Sequence, residues 1–222
     1  IERSGIRINR KEFEQNFYVP SSDFVFTQFN FKTLTRRPSN KFKKINYAAL
    51  KKDNGERKSF ISNNDIFVEL DISAYHPTLL AHLVHYEFNT DDIHEAFSKM
   101  YGVDYKKAKE ITFKQLYGGI FKEYKDLEFF KRVQTFIDKL WRKFQSDGYI
   151  EVPISKWRFE RDKLENMNPQ KLLNYLLQGL ETAMNVRILW QILRLLRGKN
   201  TKVVILFQMF YYQTRELSFL LL

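Results

Sequence analysis

A single β-rich run, Asp65 to Ile72, stands ahead of a series of capped helical stretches, and that order constrains the fold more than any other feature. The run Asp65-Ile66-Phe67-Val68-Glu69-Leu70-Asp71-Ile72 has the period-two pattern of a strand. Behind it, Pro77 to about Phe88 reads as a helix with proline in its first turn. Asp91-Asp92 can cap a short helix to Tyr101, closed by Gly102. Asp104 can cap another, Tyr105 to about Tyr117, ended by Gly118-Gly119. A longer helix covers about 126–146 and stops near Asp147-Gly148. Residues 149–160 read as a strand or hairpin around Pro153. A long helix follows Pro169 to about Leu196 and ends at Gly198, and Thr201 to Phe207 is β-rich again. Upstream, residues 1–20 are polar and basic, Pro38-Ser39-Asn40 marks loop, and Asp53-Asn54-Gly55 reads as a turn. The expected class is α+β.

The charge narrows the partners. Lys plus Arg number 37 against 26 Asp plus Glu, a net charge of +11 over 222 residues. Such a surface favours a polyanion, either nucleic acid or an anionic membrane. Cysteine is absent, which excludes disulfides, Cys-ligated zinc and thiol catalysis. No apolar run approaches the ~20 residues of a membrane-spanning helix. The chain opens at Ile1, and a fragment without a signal peptide is expected. Aromatics make up 16% of the residues. They serve either a Phe-rich core or, beside Lys and Arg, as stacking platforms for bases. Composition leaves both open.

Two places carry chemistry. Asp71 ends an apolar strand, next to Ser73 and ahead of a helix, where a lone carboxylate usually serves as a cap or a turn residue. Lys109, Phe113 and Tyr117 are spaced i, i+4, i+8 and share one helix face. A cation there can bind a triphosphate while the rings stack on base and sugar. The competing reading is an amphipathic core helix with a snorkelling lysine.

In this context Asp71-Ile72-Ser73-Ala74-Tyr75-His76-Pro77-Thr78-Leu79-Leu80-Ala81-His82 resembles motif A of the family A (DNA polymerase I-like) DNA polymerases, Asp-x-Ser-x-x-Glu-x-Arg-x-Leu-Ala-His. Lys109 to Gly118 resembles their motif B, Lys-x-x-x-Phe-x-x-x-Tyr-Gly. Asp92-Ile93-His94 is similar to the family's Asp-Ile-His, and Asn174 to Gly179 to its Asn-x-x-x-Gln-Gly. Gly148-Tyr149 with Arg158 resembles the segment that precedes the latter. Thr35-Arg36-Arg37-Pro38-Ser39 looks like Thr-Gly-Arg-x-Ser, and Ile1 to Asn9 is similar to the segment ahead of the thumb.

The resemblance implies a right-hand polymerase palm with helical fingers, phage-like, with thumb and exonuclease domain absent or reduced. The roughly 20 residues between the pre-thumb-like segment and Arg37 cannot hold a full thumb. It implies an N-terminal palm part over 1–75, fingers over 76–165 with the nucleotide-binding helix at 104–119, and a C-terminal palm part over 166–222. It implies template-directed DNA synthesis with two Mg²⁺ ions, held by Asp71 and the Ile72 carbonyl. Asp71 and Lys109 are then catalytic. Ile72, Ser73, His76, His94, Lys106, Lys109, Phe113 and Tyr117 contact the nucleotide, and Arg37, Arg158, Asn174 and Gln178 the primer–template. The partners are primer–template DNA and deoxynucleoside triphosphates, with no membrane, and the expected state is a monomer in the cytoplasm of a phage-infected or bacterial cell.

The sequence departs from the pattern. His76 stands where the family has a steric-gate Glu, Thr78 where it has Arg, and Arg36 where it has Gly. The second metal-binding acid is expected near residue 211, where Tyr211 stands, and the tail after 206 is atypical. Read two bases along, Gln208 to Gln213 can encode an Asp-x-aliphatic-Leu-x-Asp string, as a frame slip near 206 would produce. Alternatives are a non-catalytic primer–template and nucleotide-binding module, or a relative of single-subunit RNA polymerases.

Overall fold

The computed structural model describes residues 5–41, 44–47, 50–51, 55–63, 66–206 and 209–214. The start of the pre-thumb-like segment, Asp53-Asn54 and the end of the tail from 215 on lie outside these residues. Among the described residues the chain has six α-helices and small antiparallel sheets, and it divides into two compact units. One comprises the chain up to Ile72 and from Asn185 on; the other is Ser73–Met184.

In the first unit, β1 (Ile6–Ile8) is the middle strand between β2 (Phe24–Val25) and β5 (Phe60–Ile61). The helix α1 (Arg10–Asn16) follows, its Asn9 side chain accepting from the Glu12 N–H. By its residues this stretch is only polar and basic. A seven-residue helix with one buried residue, Phe13, has too little periodicity to stand out. Ile6, Ile8, Phe13, Val25, Tyr47 and Phe60 form the core of this unit. A short hairpin, β3 (Phe29–Asn30) with β4 (Ser39–Asn40), closes the loop around Pro38.

The expected strand appears as β6 (Ile66–Asp71). It pairs with β10 (Met209–Thr214), which also pairs with β9 (Lys202–Leu206), giving the order β6-β10-β9. The segment 209–214, atypical by its residues, therefore forms the central strand of this sheet. Backbone pairing does not depend on whether the strand carries the acid expected near residue 211. Met209 lies opposite Asp71, and Tyr211 opposite Glu69.

The second unit is mostly helical. The helix α2 (Tyr75–Leu83) tolerates Pro77 because first-turn N–H groups have no partner within the helix. It ends well before the expected Phe88. The chain turns at His85 (φ +52°), which brings Tyr86 and Phe88 onto Phe129, with ring centroids 5.2 and 5.3 Å away. In α3 (Ile93–Tyr101), Asp92 accepts from the N–H groups of His94 and Glu95, and left-handed Gly102 closes the helix. In α4 (Tyr105–Gly118), Asp104 accepts from the Lys107 N–H. The helix α5 (Glu128–Asp147) buries Phe129, Phe130, Val133, Ile137 and Phe144 along one face. The hairpin β7 (Tyr149–Glu151) with β8 (Arg158–Glu160) leads to α6 (Pro169–Leu195). Hairpin and helix touch at Gly179, where an added Cβ would lie 2.8 Å from Val152 Cγ2.

Candidate nucleotide and nucleic-acid site

The helix α4 decides between the two readings of its pattern. It buries Ala108, Ile111, Thr112, Gln115 and Leu116. Lys106 and Lys109 are exposed, Phe113 is 43% exposed and Tyr117 is 36% exposed. The i, i+4, i+8 face is thus a surface stripe, not the core face. The Phe113 and Tyr117 rings stack at 5.9 Å and 26°.

Buried polar groups fix the helix behind this stripe. Gln115 donates to the Tyr101 hydroxyl (3.1 Å) and accepts from the Phe121 N–H (3.1 Å). The Tyr101 hydroxyl also bonds Thr112 at 3.1 Å, and burial pushes this phenol up from its ordinary value. Gln170 of α6 donates to the Leu116 carbonyl. Sequence reasoning missed Gln115, because nothing local distinguishes a buried amide from an exposed one.

His94 follows the Asp92 cap and is 3% exposed, with its ring 5.8 Å from that of Tyr105. Burial lowers its pKa, the Lys109 charge lowers it further, and Asp92 opposes both. Neutral imidazole is favoured.

His76 differs most from what the sequence suggested. It is 5% exposed, and both ring nitrogens are engaged within the unit. Nε2 lies 3.1 Å from the Glu181 carboxylate, and Nδ1 lies 2.6 Å from the Tyr117 hydroxyl. The group that reaches the surface is Tyr117. Glu181, 1% exposed, was not singled out from the sequence. The signal was an acid among the apolar residues of a long helix, and its partner lies 105 residues away. Tyr75 is pushed up to about 12, first by burial and then by the Glu181 charge.

Ser73, Thr78 and His82 of the motif A-like segment line one side of a groove of about 530 Å³. On α6, Asn174 and Gln178 are half-buried, and the Gln178 carbonyl accepts from the Thr182 hydroxyl. Arg158 stacks on Tyr149 at 4.4 Å and pairs with Glu151 at 3.5 Å, so its guanidinium is held against its own hairpin.

In the first unit, Asp71 ends β6 and Ile72 follows it. Arg37 is half-buried in the turn between β3 and β4, where its carbonyl accepts from the Thr33 hydroxyl (2.6 Å) and Arg36 is left-handed at φ +62°. A two-ion site needs two carboxylates. Asp71 and Glu69 both stand on β6, while neither β9 (Lys-Val-Val-Ile-Leu) nor β10 (Met-Phe-Tyr-Tyr-Gln-Thr) carries an acid. Among the described residues no group of three or more His, Asp or Glu gathers as a metal site.

The chain matches no family model and no curated protein sequence. Among solved structures it is similar to the POL domain of Pol1 from M. smegmatis, in complex with DNA primer-template and dNTP. The TM-score is 0.70 at 16% sequence identity, covering 89% of this chain and 43% of the other. The fold is thus similar to that of a DNA polymerase domain, and the chain spans under half the length of that neighbour. Among the described residues no helix is long and apolar enough to cross a membrane.

Proposed function

We propose that this chain is the palm-and-fingers part of a template-directed DNA polymerase of the family A type, with the part boundaries 1–75, 76–165 and 166–222. The observation that carries the reading is the exposed Lys109–Phe113–Tyr117 stripe on α4, backed by a fully packed opposite face. Lys109 and Lys106 would hold the triphosphate as point charges. Phe113 and Tyr117 would stack on the incoming base. Ser73 would line the sugar side. Arg37, Arg158, Asn174 and Gln178 would follow the primer–template, and the +11 charge would give a salt-dependent grip on phosphates.

Primer extension with all four deoxynucleotides and Mg²⁺ tests the reading. Extension that is lost in Lys109→Ala supports it. A second reading, a non-catalytic module that holds primer–template and nucleotide, is favoured by the absence of an acid on β10. Binding without extension selects it. Preference for ribonucleotides in the same assay selects a relative of single-subunit RNA polymerases. Sequencing the parent gene across residues 200–222 tests the frame-slip explanation, which requires an Asp codon in the shifted frame.

A further inference from the structure

A buried carboxylate, an imidazole and a phenol form one chain that ends on the stripe: Glu181 of α6, His76 of α2 and Tyr117 of α4. A carboxylate only accepts, so Nε2 of His76 carries a hydrogen. In the neutral ring Nδ1 is then the lone-pair side, and it accepts from the Tyr117 hydroxyl 2.6 Å away. We propose that Glu181 is a positioning residue for nucleotide binding, acting through His76 to fix the hydrogen-bond direction and the ring pose of Tyr117.

The proposal rests on the reading that the α4 stripe binds nucleotide. The geometry gives it a physical basis. Glu181 and His76 are both buried, so neither reaches a ligand directly. The carboxylate selects one of two imidazole tautomers, and that choice sets which partner donates at Tyr117. A phenol whose proton is committed to His76 meets a ligand as an acceptor. Holding the Tyr117 ring stacked with Phe113 before binding removes the ordering cost that a mobile ring would add. His76 thus influences the ligand by way of Tyr117 and not by its own contact.

The test combines two measurements on the full chain. Imidazole ¹⁵N spectra are tractable because the chain has 4 histidines. At pH 8 His76 is expected as the Nε2–H tautomer. Glu181→Gln keeps the shape but can satisfy either tautomer, and it should mix the two. An unchanged tautomer in Glu181→Gln overturns the relay. The second measurement is dATP affinity in a double-mutant cycle. Glu181→Gln is expected to weaken binding roughly threefold to tenfold, and to have no further effect in a Tyr117→Phe background. Additive losses would show that Glu181 acts by general destabilisation and would overturn the proposal. If the wild-type chain binds no nucleotide, the polymerase reading falls, and the tautomer measurement alone decides whether Glu181 positions Tyr117.

Discussion

The unit Ser73–Met184 buries a dense aromatic cluster in which Phe97 and Phe130 each meet Tyr101, Phe129 and one another, with centroids between 5.1 and 6.2 Å. The other unit has a smaller core around Ile6, Ile8, Phe13 and Phe60, and its chemistry is a carboxylate at a strand end. The difference bears on function. The helix α4 has a back face that is packed and hydrogen-bonded, so the fold itself sets where its exposed stripe stands. The Asp71 strand has its neighbours in place, and β10, which pairs with it, carries no acid.

The contrast between the cores is the easiest part to break. Phe130→Ala should cost ~3–5 kcal/mol, the range for a fully buried ring, and Phe60→Ala in the smaller core clearly less. Urea denaturation of both variants measures this, and equal losses would erase the distinction. Next in size is Gly179→Ala. Its Cβ would press on Val152 at 2.8 Å, and the expected loss is ~1–3 kcal/mol. Adding Val152→Ala should restore part of it, because the clash is with that methyl.

A smaller effect separates ligand binding from folding. Lys109→Ala should weaken deoxynucleotide binding about tenfold, ~1.4 kcal/mol. Its melting temperature should stay close to wild type, since the side chain is exposed. Titration calorimetry and thermal melts read the two separately. The smallest effect comes from His94, whose pKa is lowered from 6.5 mainly by burial. Above pH 6.5 both folded and unfolded forms are neutral and nothing is lost. Below it the unfolded chain takes up a proton that the folded one resists, so stability falls on acidification. His94→Gln should flatten the slope below pH 6.5. A steeper slope in the variant would show that the imidazole is charged in the folded chain.

The helix bounds around Asp92, Gly102, Asp104 and Gly119 were legible because caps act within one turn of chain. The strand 66–71 was legible for a similar reason, its alternation being local. The end of α2 was not, since Tyr86 and Phe88 leave the helix to meet Phe129, a residue far along the chain.

The sequence by itself determined where the backbone turns helical or extended, the net positive charge and the common helix face of Lys109, Phe113 and Tyr117. Only the tertiary structure decided that this face is the exposed one, that Met209–Thr214 is the middle strand beside Asp71, and that Glu181 meets His76. The physical reason is range. Capping and periodicity are settled by neighbours a few residues apart, whereas burial and strand or side-chain pairing depend on which distant segments come together in the folded chain.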